Sequence, residues 1–115
     1  MFDYSKEIKA ELDTILPTYY ETFANDKTPT PCFTYMPLSN VANIDADLSR
    51  YSTLSYTVKV WGRSKDDYAT AKQKAIELDD KMLELGFHRI ASQELWVGFS
   101  FQIVFTYSAF GCELK

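Results

Sequence analysis

The chain has 115 residues, 46% hydrophobic and 16% aromatic, which is enough to bury one sizeable core and too short for two domains, so residues 1–115 are read as a single domain. Twelve Lys and Arg stand against sixteen Asp and Glu, a net charge of −4 with no basic cluster, which argues against nucleic-acid binding through a general positive field and directs attention to protein partners. No apolar run approaches the ~20 residues that cross a bilayer, and the first nine residues alternate charged with apolar side chains rather than forming a secretory leader, so a cytosolic chain without a membrane partner is expected.

Ile8, Leu12 and Ile15 recur at helical spacing among Lys6, Glu7, Lys9, Glu11 and Asp13, predicting a short amphipathic helix that covers a sheet and is stopped or bent at Pro17. A first strand is expected over about 18–24. Turn chemistry at Asn25, Asp26 and Lys27 then leads to a second strand at Cys32 to Met36, entered through Pro29 and Pro31. The two strands read as a hairpin at a sheet edge. From Pro37 to Asp47 the pattern loses its period and reads as a loop, yet Leu38, Val41 and Ile44 carry more apolar surface than a solvated connector needs. They either tuck under the same domain or dock on another molecule.

Tyr51 to Trp61 alternates, with Leu54, Tyr56, Val58 and Val60 on one side and Thr53, Ser55, Thr57 and Lys59 on the other, the period of a strand with one buried face. Ser64 and Asp67 have the spacing of a capping box. Tyr68, Ala71, Ala75, Leu78, Met82 and Leu85 then define a helix from about 65 to 85, ended by Gly86. Residues 87–96 follow as one strand or two halves, with a bulge or turn at Ser92 to Glu94. In the last strand Phe99, Phe101, Ile103, Phe105 and Tyr107 share a face that belongs under the helices at a central position, with Val104 the exception on the polar face; residues 109–115 read as a frayed tail. The order α-β-β-β-α-β-β predicts an α+β fold, a mainly antiparallel sheet with helices packed on one face. Its polar back is either solvated or covered by another copy.

Chemistry is sparse. The single histidine, His88, lies in a strand, where an outward polar position explains it better than a general base, and no Cys/His/carboxylate set has zinc-ligand spacing. Gly62, Gly86, Gly98 and Gly111 are isolated, so no phosphate-cradling loop is present, and neither an enzyme nor a cofactor is expected. Cys32 and Cys112 are read as separate buried thiols, ahead of a disulfide. Glu77, Asp80 and Glu84 form an acidic row near the C-terminal end of the long helix, with Asp79 adding to the field and Lys81 relieving it through Glu77. The row is a solvated face or an electronegative surface that avoids DNA or meets a basic partner. Trp61, on the polar side of its strand, is a cover for the helix ends or an exposed interface anchor.

The run from Tyr51 through Val60-Trp61-Gly62 to Tyr68, the helix end Met82-Leu-Glu-Leu-Gly-Phe-His-Arg, the strand Phe101-Gln-Ile-Val-Phe-Thr-Tyr and the earlier Pro31-Cys-Phe-Thr-Tyr together resemble the tail terminator, or tail completion, proteins of long-tailed bacteriophages, which serve in head-tail joining. The resemblance covers roughly residues 15–110 and lies in fold and spacing rather than in a chemical signature. It implies a structural virion or prophage protein, assembled in the host bacterial cytoplasm, that caps the tail tube as a ring, typically a hexamer, at the junction of tail and head. Its implied partners are other copies of itself, the tail-tube protein and a head-completion or neck protein, with genome DNA only passing through. The rival expectation is a small regulatory or ligand-binding α+β domain, whose sign would be a concave pocket with a few convergent polar groups.

Overall fold

The computed structural model describes residues 5–20, 28, 30–42, 52–97 and 100–110. Its elements are α1 (Ser5–Leu12), β1 (Thr18–Tyr20), β2 (Cys32–Ala42), β3 (Ser52–Gly62), α2 (Lys65–Leu85), β4 (His88–Val97) and β5 (Ser100–Phe110). The strands form one sheet in the order β1-β2-β3-β5-β4, antiparallel throughout except for β1 against β2. This is the expected α+β architecture. Both helices bury their apolar stripes on the same face of the sheet: Ile8 and Leu12 of α1 and Ala71, Ala75, Leu78 and Met82 of α2 share a core with Phe33, Val58, Val60 and the β5 aromatics.

The period of two in β3 arises because successive Cβ atoms leave opposite faces of the pleat, and Tyr56, Val58 and Val60 are buried as that period requires. In β5, Phe101, Ile103, Phe105, Tyr107 and Ala109 are buried in the same way. Phe99 and Cys112 lie outside the described residues. The strand runs on to Phe110, so Ala109 and Phe110 belong to the sheet rather than to a frayed tail, held by the pairs Leu54↔Ala109 and Thr53↔Phe110.

Helix α2 ends as its sequence predicts. Gly86 takes φ 101, which only glycine adopts cheaply; its N–H donates to Leu83 O at 3.0 Å and the Phe87 N–H to Met82 O at 2.9 Å, the paired bonds of a Schellman motif. The start differs from the expected capping box. Ser64 makes no side-chain cap; instead the Asp67 carboxylate accepts the Arg63 N–H at 3.1 Å and the Thr30 hydroxyl at 2.9 Å, tying the helix start to the entry of β2. Gly62 is required by close approach, since a Cβ there would collide with the Phe101 ring.

Three further expectations are corrected. β1 and β2 are parallel, with Thr18↔Phe33 and Tyr20↔Tyr35 in register, rather than a hairpin. Turn residues at 25–27 signal a reversal but not the number of reversals, and the eleven residues between the strands approach the length of a parallel crossover. Residues 38–42 are not loop but the far half of β2, paired with β3 through Val41↔Thr53 and Ala42↔Ser52. The irregularity between Pro37 and Ser39 shifts the phase of the strand and so erases the alternation that would have revealed it. β4 is one strand, and its irregularity lies between Arg89 and Ala91 rather than at Ser92 to Glu94.

Candidate interaction surface

Helix α2 and strand β4 flank an open cleft of ≈ 420 Å³ whose floor is Ile103 and Phe105. One wall is Lys72, Ile76, Asp79 and Asp80 of α2; the other is Arg89 and Glu94 of β4. The charges in it are organised as two ties between helix and strand. Asp79 accepts the Tyr107 hydroxyl at 2.9 Å and lies 3.4 Å from the Arg89 guanidinium, so it links the core, the helix and the edge strand. Burial pushes the Tyr107 phenol well above its ordinary range, the bond to Asp79 pushes it further, and Arg89 works in the opposite direction. Nearer the start of α2, Lys72 donates to Glu94 at 2.5 Å and the Tyr68 hydroxyl lies 3.1 Å from both Glu94 oxygens. The bond raises the Lys72 pKa and holds the Glu94 carboxyl below its usual range.

The apolar surface left in solvent is concentrated on the same flank. Ile76 and Leu83 of α2 are 59% and 63% exposed, and Ile90, Leu95 and Trp96 of β4 are 63%, 38% and 44% exposed; these are the exposed large hydrophobic residues among the described ones. Trp96 rests on Phe101 with ring centres 4.9 Å apart and on Tyr68 at 5.4 Å. β4 is also the edge of the sheet, and every side chain described from His88 to Trp96 is exposed.

The residues singled out by sequence fall in separate places. Trp61 lies on the outer face of the sheet, as expected, but is half-buried: its Nε1 donates to the Thr34 hydroxyl at 2.8 Å and the Lys59 ammonium sits 5.6 Å from its ring centre. It works as a cross-strand tie over β2 and β3. Leu38 and Val41 are in the far half of β2, with side chains outside the described set, and Ile44 lies outside the described residues. In the acidic row, Glu77 pairs with Lys74 at 3.1 Å and Glu84 with Lys81 at 3.4 Å, while Lys81 also reaches Glu11 of α1 at 3.6 Å. Lys81 therefore relieves Glu84 and Glu11 rather than Glu77, and Asp79 faces the Tyr107–Arg89 tie; Asp80 is exposed at the cleft.

His88 is exposed at the start of β4. Cys32 is a buried free thiol pushed up to about 11 by burial, with Arg63 acting weakly the other way, so it stays protonated and unreactive near neutrality. Among the described residues no three His, Cys, Asp or Glu side chains cluster as a metal site, and no helix is long and apolar enough to cross a membrane. The ties through Asp79 and Glu94 were not legible in the sequence, because their partners lie far along the chain. Ile76 and Leu83 did carry a signal: they are seven residues apart and fall off the stripe that contains Leu78 and Leu85.

No model of a known protein family matches the chain. No curated protein matches it either.

Proposed function

We propose that the protein is a structural component of a phage or prophage virion that caps the tail tube as a ring, in the manner of the tail terminator proteins its sequence resembles, and joins tail to head. The observation that carries this reading is that, among the described residues, the helices cover one face of the sheet only. Both helices lie on one side, while the outward side chains described on β2, β3 and β5 are neutral apart from Lys59. A nearly uncharged sheet face opposite a helical layer is a surface on which another protein can seat without desolvating many charges.

In this reading the ring is built from copies of the chain, probed first as a hexamer, and meets the tail-tube protein on one side and a head-completion or neck protein on the other. The far half of β2 with Leu38 and Val41, together with Ile44 and Trp61, supplies contacts, and Glu77, Asp80 and Glu84 face the passage, where negative charge lets genome DNA slide without adhering. The place of action is the tail-head junction of the virion, after assembly in the bacterial cytoplasm. The direct test is electron microscopy of the protein mixed with tubes of the tail-tube protein encoded beside its gene. Rings at one end of each tube are expected, and tubes that stay uncapped at saturating protein would overturn the proposal.

The cleft between α2 and β4 favours a second reading, a ligand-binding domain, because its volume is in the range of small-molecule sites and its polar groups converge. A thermal-shift screen of small acids and amines separates the two, since a ring-forming protein has no reason to be stabilised by them.

A further inference from the structure

Among the described strands β4 is an edge, ten residues long, and natural proteins usually blunt such edges by short length, prolines, β-bulges or charged side chains. Here the strand is long and has no proline; it carries one irregularity, between Arg89 and Ala91, and its two charged residues other than the histidine, Arg89 and Glu94, point over the helical face, where they sit opposite Tyr107 and Ile103 of β5. Ile90, Leu95 and Trp96 remain in solvent on it.

The placement of the two charges is symmetric. Arg89 and Glu94 are five positions apart, an odd offset that in a regular strand would put them on opposite faces. The extra residue between Arg89 and Ala91 removes that offset: Ser92 is opposite Phe105, Glu94 lies two rungs from it on one side, and Arg89 lies two rungs from it on the other. A copy of the same strand laid antiparallel along this edge, with a twofold axis at Ser92, sets Glu94 of each copy across from Arg89 of the other. Opposite charges facing each other across antiparallel strands attract, and a twofold contact repeats the pair.

We propose that the partner of this edge is a second copy of the chain, joined by antiparallel β4–β4 pairing about Ser92, so that the two five-stranded sheets become one continuous sheet of two copies. The backbone edge is satisfied by the second strand, and the two Arg–Glu pairs fix the register. The inference does not rest on the ring: a twofold contact closes after two copies, whereas a ring grows through head-to-tail contacts on other surfaces.

The test is a charge-swap series read by sedimentation velocity. The wild type is expected to sediment as two 13.3 kDa chains. R89E or E94R alone sets like charges across the axis twice and should give single chains. An equimolar mixture of R89E and E94R restores two opposite-charge pairs in a mixed dimer, and the double variant R89E/E94R restores them in a symmetric one; both should return to two chains. Wild type that remains a single chain up to its solubility limit overturns the proposal. So does a two-chain species that persists in both single variants, or a larger ring indifferent to them, because either would place the contact elsewhere. Hydrogen exchange of the wild type needs no variant: backbone amides of 91–95 should gain protection as concentration rises through the association range, and unchanged exchange there counts equally against β4 pairing.

Discussion

Phe101 offers the sharpest test of the packing described above. It is 2% exposed, its ring centre is 4.9 Å from that of Trp96 and 5.4 Å from that of Tyr68, and it occupies the space over Gly62 that any side chain there would need. Truncation by Phe101→Ala removes the transfer energy of the ring and leaves a cavity, a loss of about 3–5 kcal/mol for a buried phenylalanine. Loss of the two aromatic contacts, roughly 0.5–1.5 kcal/mol each, places the expected value in the upper part of that range. Gly62→Ala overpacks the same spot and should cost about 1–3 kcal/mol in the wild type. In the Phe101→Ala background the colliding ring is gone, so the same methyl should cost little or even fill part of the cavity, a coupling of about 1–3 kcal/mol in the double-mutant cycle. Urea unfolding of the four proteins, with equal m-values as the check on two-state behaviour, gives every term. If Phe101→Ala costs less than about 1 kcal/mol, or the two changes simply add, the ring does not fill the space over Gly62 and this account of the β3–β5 packing is wrong.

Stability should fall as pH rises through the alkaline range, because Cys32 and Tyr107 keep their protons in the folded state at pH values where the unfolded chain has lost them. For Cys32, whose pKa rises from 9.0 to about 11, the loss begins near pH 9; Cys32→Ala should flatten that limb in melts between pH 8 and 11 and leave the neutral-pH slope unchanged, and an unaltered limb would show that the thiol is not the titrating group. At the start of α2, Asp67→Ala removes the acceptor of two bonds and should cost about 1–2 kcal/mol, whereas Ser64→Ala, which removes no cap bond, should cost a few tenths of that; equal costs would refute the assignment of the capping role to Asp67. Replacing Glu77, Asp80 and Glu84 together by Lys tests the proposed passage: the monomer should melt within a few degrees of the wild type, while its assembled ring should hold DNA at low salt and release it at moderate salt. An assembled variant ring indifferent to DNA at low salt would put the row on the outside.

Local physics made much of this fold readable in one dimension. The alternation of β3 and β5, the stripe from Ala71 to Leu85 and the left-handed glycine after it each follow from side-chain direction or backbone sterics within a few residues, so sequence alone determined those elements, their buried faces and the α+β class. Tertiary structure decided what depends on distant partners. β1 lies parallel to β2 because of where the chain re-enters the sheet, and residues 38–42 are strand because β3 offers them a ladder, although the irregularity at Leu38 breaks their period. Asp79 and Glu94 read as two surface carboxylates in the sequence, and only folding brings Tyr107, Arg89, Lys72 and Tyr68 to them. The symmetry of Arg89 and Glu94 about Ser92 was likewise hidden. It depends on one extra residue in β4, whose effect on side-chain direction is felt only against the register of β5.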